Sequence, residues 1–141
     1  MSGVRGSEGT GSLEAFGIRL AWGLAPVGGE RRRLSRSLLR ALLHPDAEFH
    51  SICPECGGSH GPITVALPRG RAPLVSVSYS GELVVVGVAP STALAFGLDT
   101  ELDTRDRRTA VAEAIGSREL RDWTRLEAAA KARRQGLRHP Y

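Results

Sequence analysis

Residues 84–103 read VVVGVAPSTALAFGLDTELD, an apolar run from Val84 to Leu98 that ends abruptly in Asp99 and Glu101. Residues i and i+2 of an extended chain point to the same face. If 96–101 is extended, the two carboxylates therefore project side by side. At ~5 Å and an effective dielectric of ~20, their repulsion costs roughly 3 kcal/mol. Water with splayed rotamers, a nearby arginine or a bound cation must offset this cost.

The segments around this stretch predict an α+β fold with a mostly antiparallel sheet packed with helices. Strand patterns occupy 15–23, where Phe16, Ile18, Leu20 and Trp22 alternate, and then 63–67, 72–78 and 83–89, with a turn at 79–82. Residues 28–43 carry leucines at four-residue spacing among arginines, which predicts an amphipathic helix. Residues 104–116 and 117–136 predict two closing helices. A loop is expected through FHSICPECGGSHGP, residues 49–62.

Length and composition indicate one globular domain over 13–141, preceded by a Gly/Ser-rich N-terminus, 1–12, that we expect to be disordered. The net charge is +4, from 19 Lys+Arg against 15 Asp+Glu. This balance suits nucleic acid, a phosphorylated cofactor or an acidic protein, and the arginine preference is equally typical of a GC-rich genome. No signal peptide or membrane span is apparent, so a cytoplasmic location is expected.

Residues Trp123, Glu127 and Lys131 follow one another at four-residue spacing and share one face of the last predicted helix. Alone, they indicate an ordinary Glu–Lys pair worth ~0.3 kcal/mol and a core tryptophan. Together with Asp99 and Glu101, they offer three carboxylates, the hard oxygen ligands that Mg²⁺ prefers. A magnesium site at Asp99, Glu101 and Glu127 would explain the acidic pair.

These segments resemble the signatures of the 4′-phosphopantetheinyl transferase superfamily. GLDTE, residues 97–101, is similar to G-[IV]-D-[IV]-E, and WTRLEAAAKARRQGL, residues 123–137, is similar to W-[TS]-x-K-E-[AS]-x-x-K-x-x-G-x-G-L. The stretch LVSVSYSGELVVVGVA, residues 74–89, looks like N-[LIV]-S-H-S-x-x-x-x-[VA]. The basic helix resembles the family's arginine-bearing first helix, and CPECGGSHGP looks like a loop of some actinobacterial-type members. The resemblance covers roughly residues 30–138.

The resemblance implies a transferase fold and activity: Mg²⁺-dependent transfer of phosphopantetheine from coenzyme A to a serine of an acyl or peptidyl carrier protein, with release of 3′,5′-ADP. Asp99, Glu101 and Glu127 would hold Mg²⁺. Glu127, or a metal-bound water, would accept the serine proton, and Lys131 would contact a phosphate of coenzyme A. The expected 3′-phosphate contacts are Ser78, Tyr79, Arg31 and Arg32.

The chain departs from the family pattern at several points. Tyr79 stands for a histidine, Leu126 for a lysine, and HGPI lacks the basic residue of the family's Gly-Lys/Arg-Pro element, for which Arg69 and Arg71 are the candidate substitutes. Long members contain two pseudo-symmetric halves, and this sequence ends four residues after Leu137. A homo-oligomer that covers an open sheet edge, a fragment and a decayed relative are the alternatives.

Two further hypotheses arise from the sequence. Cys53, Cys56 and His60 have the residue types and spacing of a zinc knuckle, with His44 and His50 nearby, and reduced loop cysteines are the alternative. The functional alternatives are a catalytically inactive relative that binds coenzyme A or a carrier protein, and an arginine-rich nucleic-acid-binding module with a zinc-stabilised loop. Only 5% of the residues are aromatic, which disfavours nucleic acid as a partner.

Overall fold

Antiparallel strands and helices make up the fold, which confirms the predicted α+β class. The computed structural model describes residues 2–5, 10–53, 55–58, 61–101, 103–116 and 119–133. In chain order the elements are β1 (Ser2–Arg5), β2 (Gly11–Ala15), β3 (Ile18–Leu24), α1 (Gly29–Leu42), β4 (Glu48–His50), β5 (Thr64–Ala66), β6 (Val75–Ser80), β7 (Leu83–Val88), α2 (Arg105–Ile115) and α3 (Leu120–Ala132). A five-stranded sheet has the order β1-β2-β3-β7-β6, and β4 pairs with β5 in a separate ribbon.

The hydrophobic core lies between one face of the five-stranded sheet and α1. Strand β7 contributes Val84, Val86 and Val88, which alternate with residues of the opposite face and are fully buried. Helix α1 crosses β7 and β3 and inserts Leu39, which is also fully buried, while the leucines that the spacing singles out are partly buried around it. No described residue beyond position 88 belongs to this core cluster.

The opposite face of the sheet is lined by small and polar side chains of β6 and β7. Ser76 pairs with Gly87 and Ser78 pairs with Val85, so these residues share that face. A Cβ at Gly87 would lie 2.6 Å from a methyl carbon of Leu98 and 2.9 Å from the ring of Phe96. The glycine therefore lets the chain after β7 lie directly on this face.

Three parts of the chain differ from the sequence-based expectations. Strands β2 and β3 form a tight hairpin, with Phe16 (φ 54°) and Gly17 (φ 77°) as its two-residue turn, so Phe16 is 97% exposed instead of lying on a strand face. Residues expected to be disordered, Ser2–Arg5, form β1, because backbone pairing with β2 does not depend on apolar side chains. Strand β4 occupies the beginning of the expected loop and pairs with β5.

Among the described residues, no helix combines the length and apolar character needed to cross a membrane.

Candidate functional site

The acidic segment 96–101 is attached to the sheet through serine side chains. The amide of Leu98 donates to Ser76 Oγ (3.1 Å), and the amide of Thr100 donates to Ser78 Oγ (3.1 Å). Both serines are buried. The segment was expected to be a strand, but no strand is assigned to it, because its amides bind hydroxyl oxygens in place of main-chain carbonyls.

Helix α3 turns its Trp123–Glu127–Lys131 face toward this segment. Trp123 Nε1 donates to Glu101 Oε1 (3.0 Å), and Lys131 Nζ donates to Asp99 Oδ1 (3.2 Å). The segment and the helix thus run in opposite directions, which places Glu127 between the two contacts. The sequence-predicted stripe and the acidic pair therefore meet in the structure, while their role as magnesium ligands stays a prediction.

A glycine makes this approach possible. A Cβ at Gly97 would lie 2.6 Å from the amide nitrogen of Ala132 and 3.0 Å from Cβ of Lys131. A side chain at position 97 would therefore push the acidic segment away from α3.

Glu127 is influenced by both other carboxylates. Its pKa is raised above the ordinary value of 4.5, first by burial, then by the negative charge of Asp99, and to a smaller extent by that of Glu101. The positive charge of Lys131 acts in the opposite direction. Glu127 therefore accepts a proton more readily than an ordinary glutamate.

Glu101 has an arginine partner that the sequence analysis missed. Arg107 binds it with two hydrogen bonds, from Nε to Oε2 (3.1 Å) and from Nη2 to Oε1 (2.7 Å). Thr104 caps α2 by accepting the amide of Arg107, which places this arginine in the first helical turn, close to the preceding acidic segment. The available sequence signal for this partner was Thr104, a typical N-cap residue that follows Glu101 by three positions and Asp99 by five. Of the three means of offsetting the repulsion, the structure shows the arginine, which pairs with Glu101, while Asp99 pairs with a lysine that was not among the three.

The fit of this group to a divalent cation is partial. Asp99 Oδ2 is buried and has no hydrogen-bond partner, and the Asp99 side chain is only 9% exposed. A buried, unpaired carboxylate oxygen is costly, and a hard cation would satisfy it. However, among the described residues no three Asp, Glu, Cys or His side chains already stand around one metal position. Both carboxylate oxygens of Glu101 bind Arg107, so this carboxylate is already engaged.

A cavity of about 630 Å³ extends from Phe96 and Lys131 to α1, and Asp99, Glu101 and Glu127 are not among its lining residues. Lys131 and Phe96 line one part of its wall, and Arg32, Arg36 and Tyr79 line another. Residues from the cysteine loop and from the stretch before β6 complete the wall. The cavity has the size of a small-molecule site and carries positive charge at both of these places.

The residues predicted to bind the 3′-phosphate are divided between two faces of β6. Tyr79 lines the cavity, lies 5.0 Å below the guanidinium of Arg31, and shares a 3.0 Å hydrogen bond with Ser35. Arg31 also donates to the carbonyl of Gly81, and its Nε is buried without a partner. Ser78 points to the other face, where it donates to Asp99 Oδ1 (3.2 Å). Ser78 thus positions Asp99. Arg36 also lines the cavity, although the sequence analysis did not single it out.

The two cysteines are reduced, with Cys53 buried and Cys56 exposed. Hydrogen bonds from the amides of Cys56 and Glu55 lower the pKa of the Cys53 thiol. The third predicted ligand, His60, lies outside the described residues.

Compared with protein-family models, curated proteins and solved structures, the chain matches none.

Proposed function

We propose that this chain transfers the 4′-phosphopantetheine group of coenzyme A to a serine of an acyl or peptidyl carrier protein, with Mg²⁺ as cofactor, and that its fold is that of the 4′-phosphopantetheinyl transferases. One observation carries this function: α3 holds Trp123, Glu127 and Lys131 against the Asp99–Glu101 segment, beside a cavity lined by arginines. The sequence segments that resemble the family's two acidic signatures are the segments that meet here.

In this function the cavity would hold coenzyme A, with its 3′-phosphate near Arg32 and its pyrophosphate near Lys131. Lys131 Nζ contacts Leu98 O at 3.1 Å and Val77 O at 3.5 Å, besides Asp99. The long contact with Val77 is the weakest, and a phosphate oxygen would replace it at little cost.

Asp99, Glu101 and Glu127 would hold Mg²⁺, and the unpaired Oδ2 of Asp99 supports this assignment. When bound there, Mg²⁺ supplies positive charge that neutralises the pyrophosphate oxygens. The protein's own part is to hold Asp99 in place, through the hydrogen bonds that Ser78 and Lys131 donate to it.

Glu127 is the residue we assign to accept the proton of the attacking serine, because it lies on the face of α3 that is turned toward the acidic segment, between the contacts of Trp123 and Lys131. The serine oxygen forms a bond to the phosphorus that bears the pantetheine arm, and the bond from that phosphorus to the bridging oxygen of the pyrophosphate breaks. The proton goes to Glu127, and 3′,5′-ADP leaves with the electron pair. Carrier proteins are acidic around their serine, which suits a partner with a net charge of +4.

The test is incubation with an apo carrier protein, coenzyme A and Mg²⁺, followed by mass spectrometry of the carrier. The carrier is expected to gain the mass of one phosphopantetheine group. Asp99→Asn should abolish the gain, whereas Asp103→Asn should not, because Asp103 is exposed and pairs only with Arg108 at 3.5 Å among the ion pairs described. Melting curves of both variants control for folding. Full activity of Asp99→Asn would contradict the assignment.

A second candidate is a relative that binds coenzyme A or a carrier protein without catalysis. Arg107 and Lys131 already pair with two of the three carboxylates, and this favours it. Calorimetric binding of coenzyme A without any mass gain on the carrier would support this candidate. Arg32→Gln should then weaken binding, while Arg33→Gln, on the same helix but absent from the cavity lining, should leave it unchanged.

A further inference from the structure

Strand β6 is an edge of the five-stranded sheet, and the bonding of its neighbour shows which of its main-chain groups face outward. It stands last in the order β1-β2-β3-β7-β6, and the amide of Ala89 donates to Leu74 O (2.9 Å) just before the strand begins. In an antiparallel pair, positions bonded to the partner strand alternate with positions whose amides and carbonyls point away from it. The even-numbered residues of β6 are therefore bonded to β7, while Val75, Val77 and Tyr79 turn their amides and carbonyls outward.

This edge carries no other strand in the described part of the chain. Of its outward main-chain groups, the described residues bind only Val77 O, which Lys131 Nζ contacts at 3.5 Å. The strand reads VSVSYS, and its register with β7 is continuous. It thus lacks the proline, charged side chain or bulge that commonly protects an edge strand. Such an edge is a template for another extended chain.

The cavity of about 630 Å³ lies along this edge. Its wall includes Val77 and Tyr79, whose side chains share the α1 face of the sheet with the core valines of β7, and also Ser76, whose side chain lies on the opposite face. Because it reaches both faces of β6, the cavity is open to the outer edge of that strand. The edge from Val75 to Tyr79 is about 14 Å long at ~3.4 Å per residue, so it matches about five extended residues.

The charges beside the edge favour an acidic occupant. Arg32 and Arg36 line the cavity on the α1 face, and Lys131 lines it on the other face, where it binds Asp99. Glu55 is the one acidic side chain among the described lining residues. Side chains of an added strand alternate between the two faces, so acidic side chains would lie near a cation on either face. A second copy of this chain is disfavoured, because its own three cations would approach these three.

We propose that the outer edge of β6 binds an extended acidic segment of a partner protein as an additional strand of the sheet. The outward amides of Val75, Val77 and Tyr79 donate to carbonyls of this segment, and its acidic side chains lie near the cavity arginines. The site overlaps the cavity to which coenzyme A is assigned above, but it rests on the edge strand and its charges and does not depend on the transferase function. Its test contains no coenzyme A.

The experiment measures amide hydrogen exchange in the full chain by NMR, with and without a blocked heptapeptide of alternating glutamate and valine. The amides of Val75, Val77 and Tyr79 are expected to exchange quickly in the free protein. They should slow about tenfold when the peptide is at roughly ten times its dissociation constant. The amides of Ser76 and Ser78, which are bonded to β7, should be protected in both samples. A matched peptide with lysine in place of glutamate should protect none of the edge amides.

Proline substitution removes one outward amide, and an edge strand tolerates it where the nitrogen faces away from the neighbouring strand. Val77→Pro therefore removes a donor to the peptide, whereas Val77→Ala shortens the side chain and keeps the amide. By calorimetry, Val77→Pro should bind the glutamate peptide about tenfold more weakly than Val77→Ala. Arg36→Gln should also weaken binding, while Arg33→Gln, on the same helix but absent from the cavity lining, should leave it unchanged.

Unchanged exchange of the three edge amides at millimolar glutamate peptide would overturn the proposal. Equal protection by the lysine peptide would overturn the acidic character of the partner, and equal affinities of Val77→Pro and Val77→Ala would overturn the main-chain pairing. Edge amides that become protected with rising protein concentration, in the absence of peptide, would assign the edge to a second copy of the chain instead. The exchange measurement uses the unaltered protein, so it decides the question even if the proline variant does not fold.

Discussion

Arg107 and a metal ion should compete for Glu101, and Arg107→Gln therefore has opposite effects on two measurable quantities. Two unit charges at ~4 Å and an effective dielectric of ~20 attract by about 4 kcal/mol. The Arg107 side chain is 43% exposed, so solvent screening reduces the net value of this pair to about 1.5 kcal/mol. A Mg²⁺ ion bound at the proposed site would have to displace the arginine from Glu101, and its binding free energy would be weaker by about this amount.

Removal of the arginine should raise the affinity for Mg²⁺ roughly tenfold, because about 1.4 kcal/mol corresponds to a factor of ten. Isothermal titration of chelator-treated protein with Mg²⁺ measures this change. In the absence of metal, the same variant should melt about 4 °C lower, because Glu101 loses its main cationic partner beside two other carboxylates.

Arg108→Gln is the matched control. It removes the same charge from the neighbouring position of α2, but Arg108 pairs with the exposed Asp103 at 3.5 Å. Its Mg²⁺ affinity and melting temperature should stay close to those of wild type. If Arg107→Gln bound Mg²⁺ no more tightly than Arg108→Gln, Glu101 would not be a magnesium ligand.

Three further perturbations examine the same region. Glu127→Gln should raise the melting temperature at neutral pH in the presence of chelator, because the raised pKa means that ionised Glu127 destabilises the folded state above its folded-state pKa. This destabilisation disappears below pH 4.5, the ordinary pKa of the group. The plots of melting temperature against pH for wild type and variant should therefore converge below pH 4.5. Parallel profiles would contradict this sign. Gly97→Ala should cost about 1–3 kcal/mol in urea unfolding because of the close main chain of α3, whereas Gly29→Ala, with no atom within 4 Å, should be nearly neutral; equal effects would refute the packing argument. Trp123→Phe removes the indole donor to Glu101 and should cost about 1 kcal/mol in urea unfolding, and an unchanged midpoint would show that this bond contributes nothing.

Sequence patterns correctly predicted the helices and turns whose formation depends on residues close together in the chain. The leucine spacing of α1, the turn between β6 and β7, and the stripe on α3 all depend on residues close in sequence. The proximity of the acidic pair to the stripe on α3 was expected because three carboxylates together would form a magnesium site, although the stripe alone is ordinary.

Other features depend on contacts that no local pattern contains. The strand-like alternation through Phe16 continues across a turn that Gly17 permits, so a single strand was predicted where a hairpin forms. The attachment of segment 96–101 to serine hydroxyls required knowledge of which face of β6 it covers. Arg107 was one of many arginines, and only the start of α2 selects it as the partner of Glu101.

Different interactions attach α1 and segment 96–101 to the two faces of the sheet. The hydrophobic core and the candidate site therefore differ in stability. Valines and leucines join α1 to one face, while the acidic layer (segment 96–101) is attached to the other by a few hydrogen bonds, each worth about 1 kcal/mol, and by the contact of Phe96 and Leu98 with Gly87. Mild denaturant or warming should therefore detach that layer first. A sample in which the sheet and α1 are intact can then have lost the arrangement of Asp99, Glu101 and Glu127, so a melting curve of the core does not report on the candidate site.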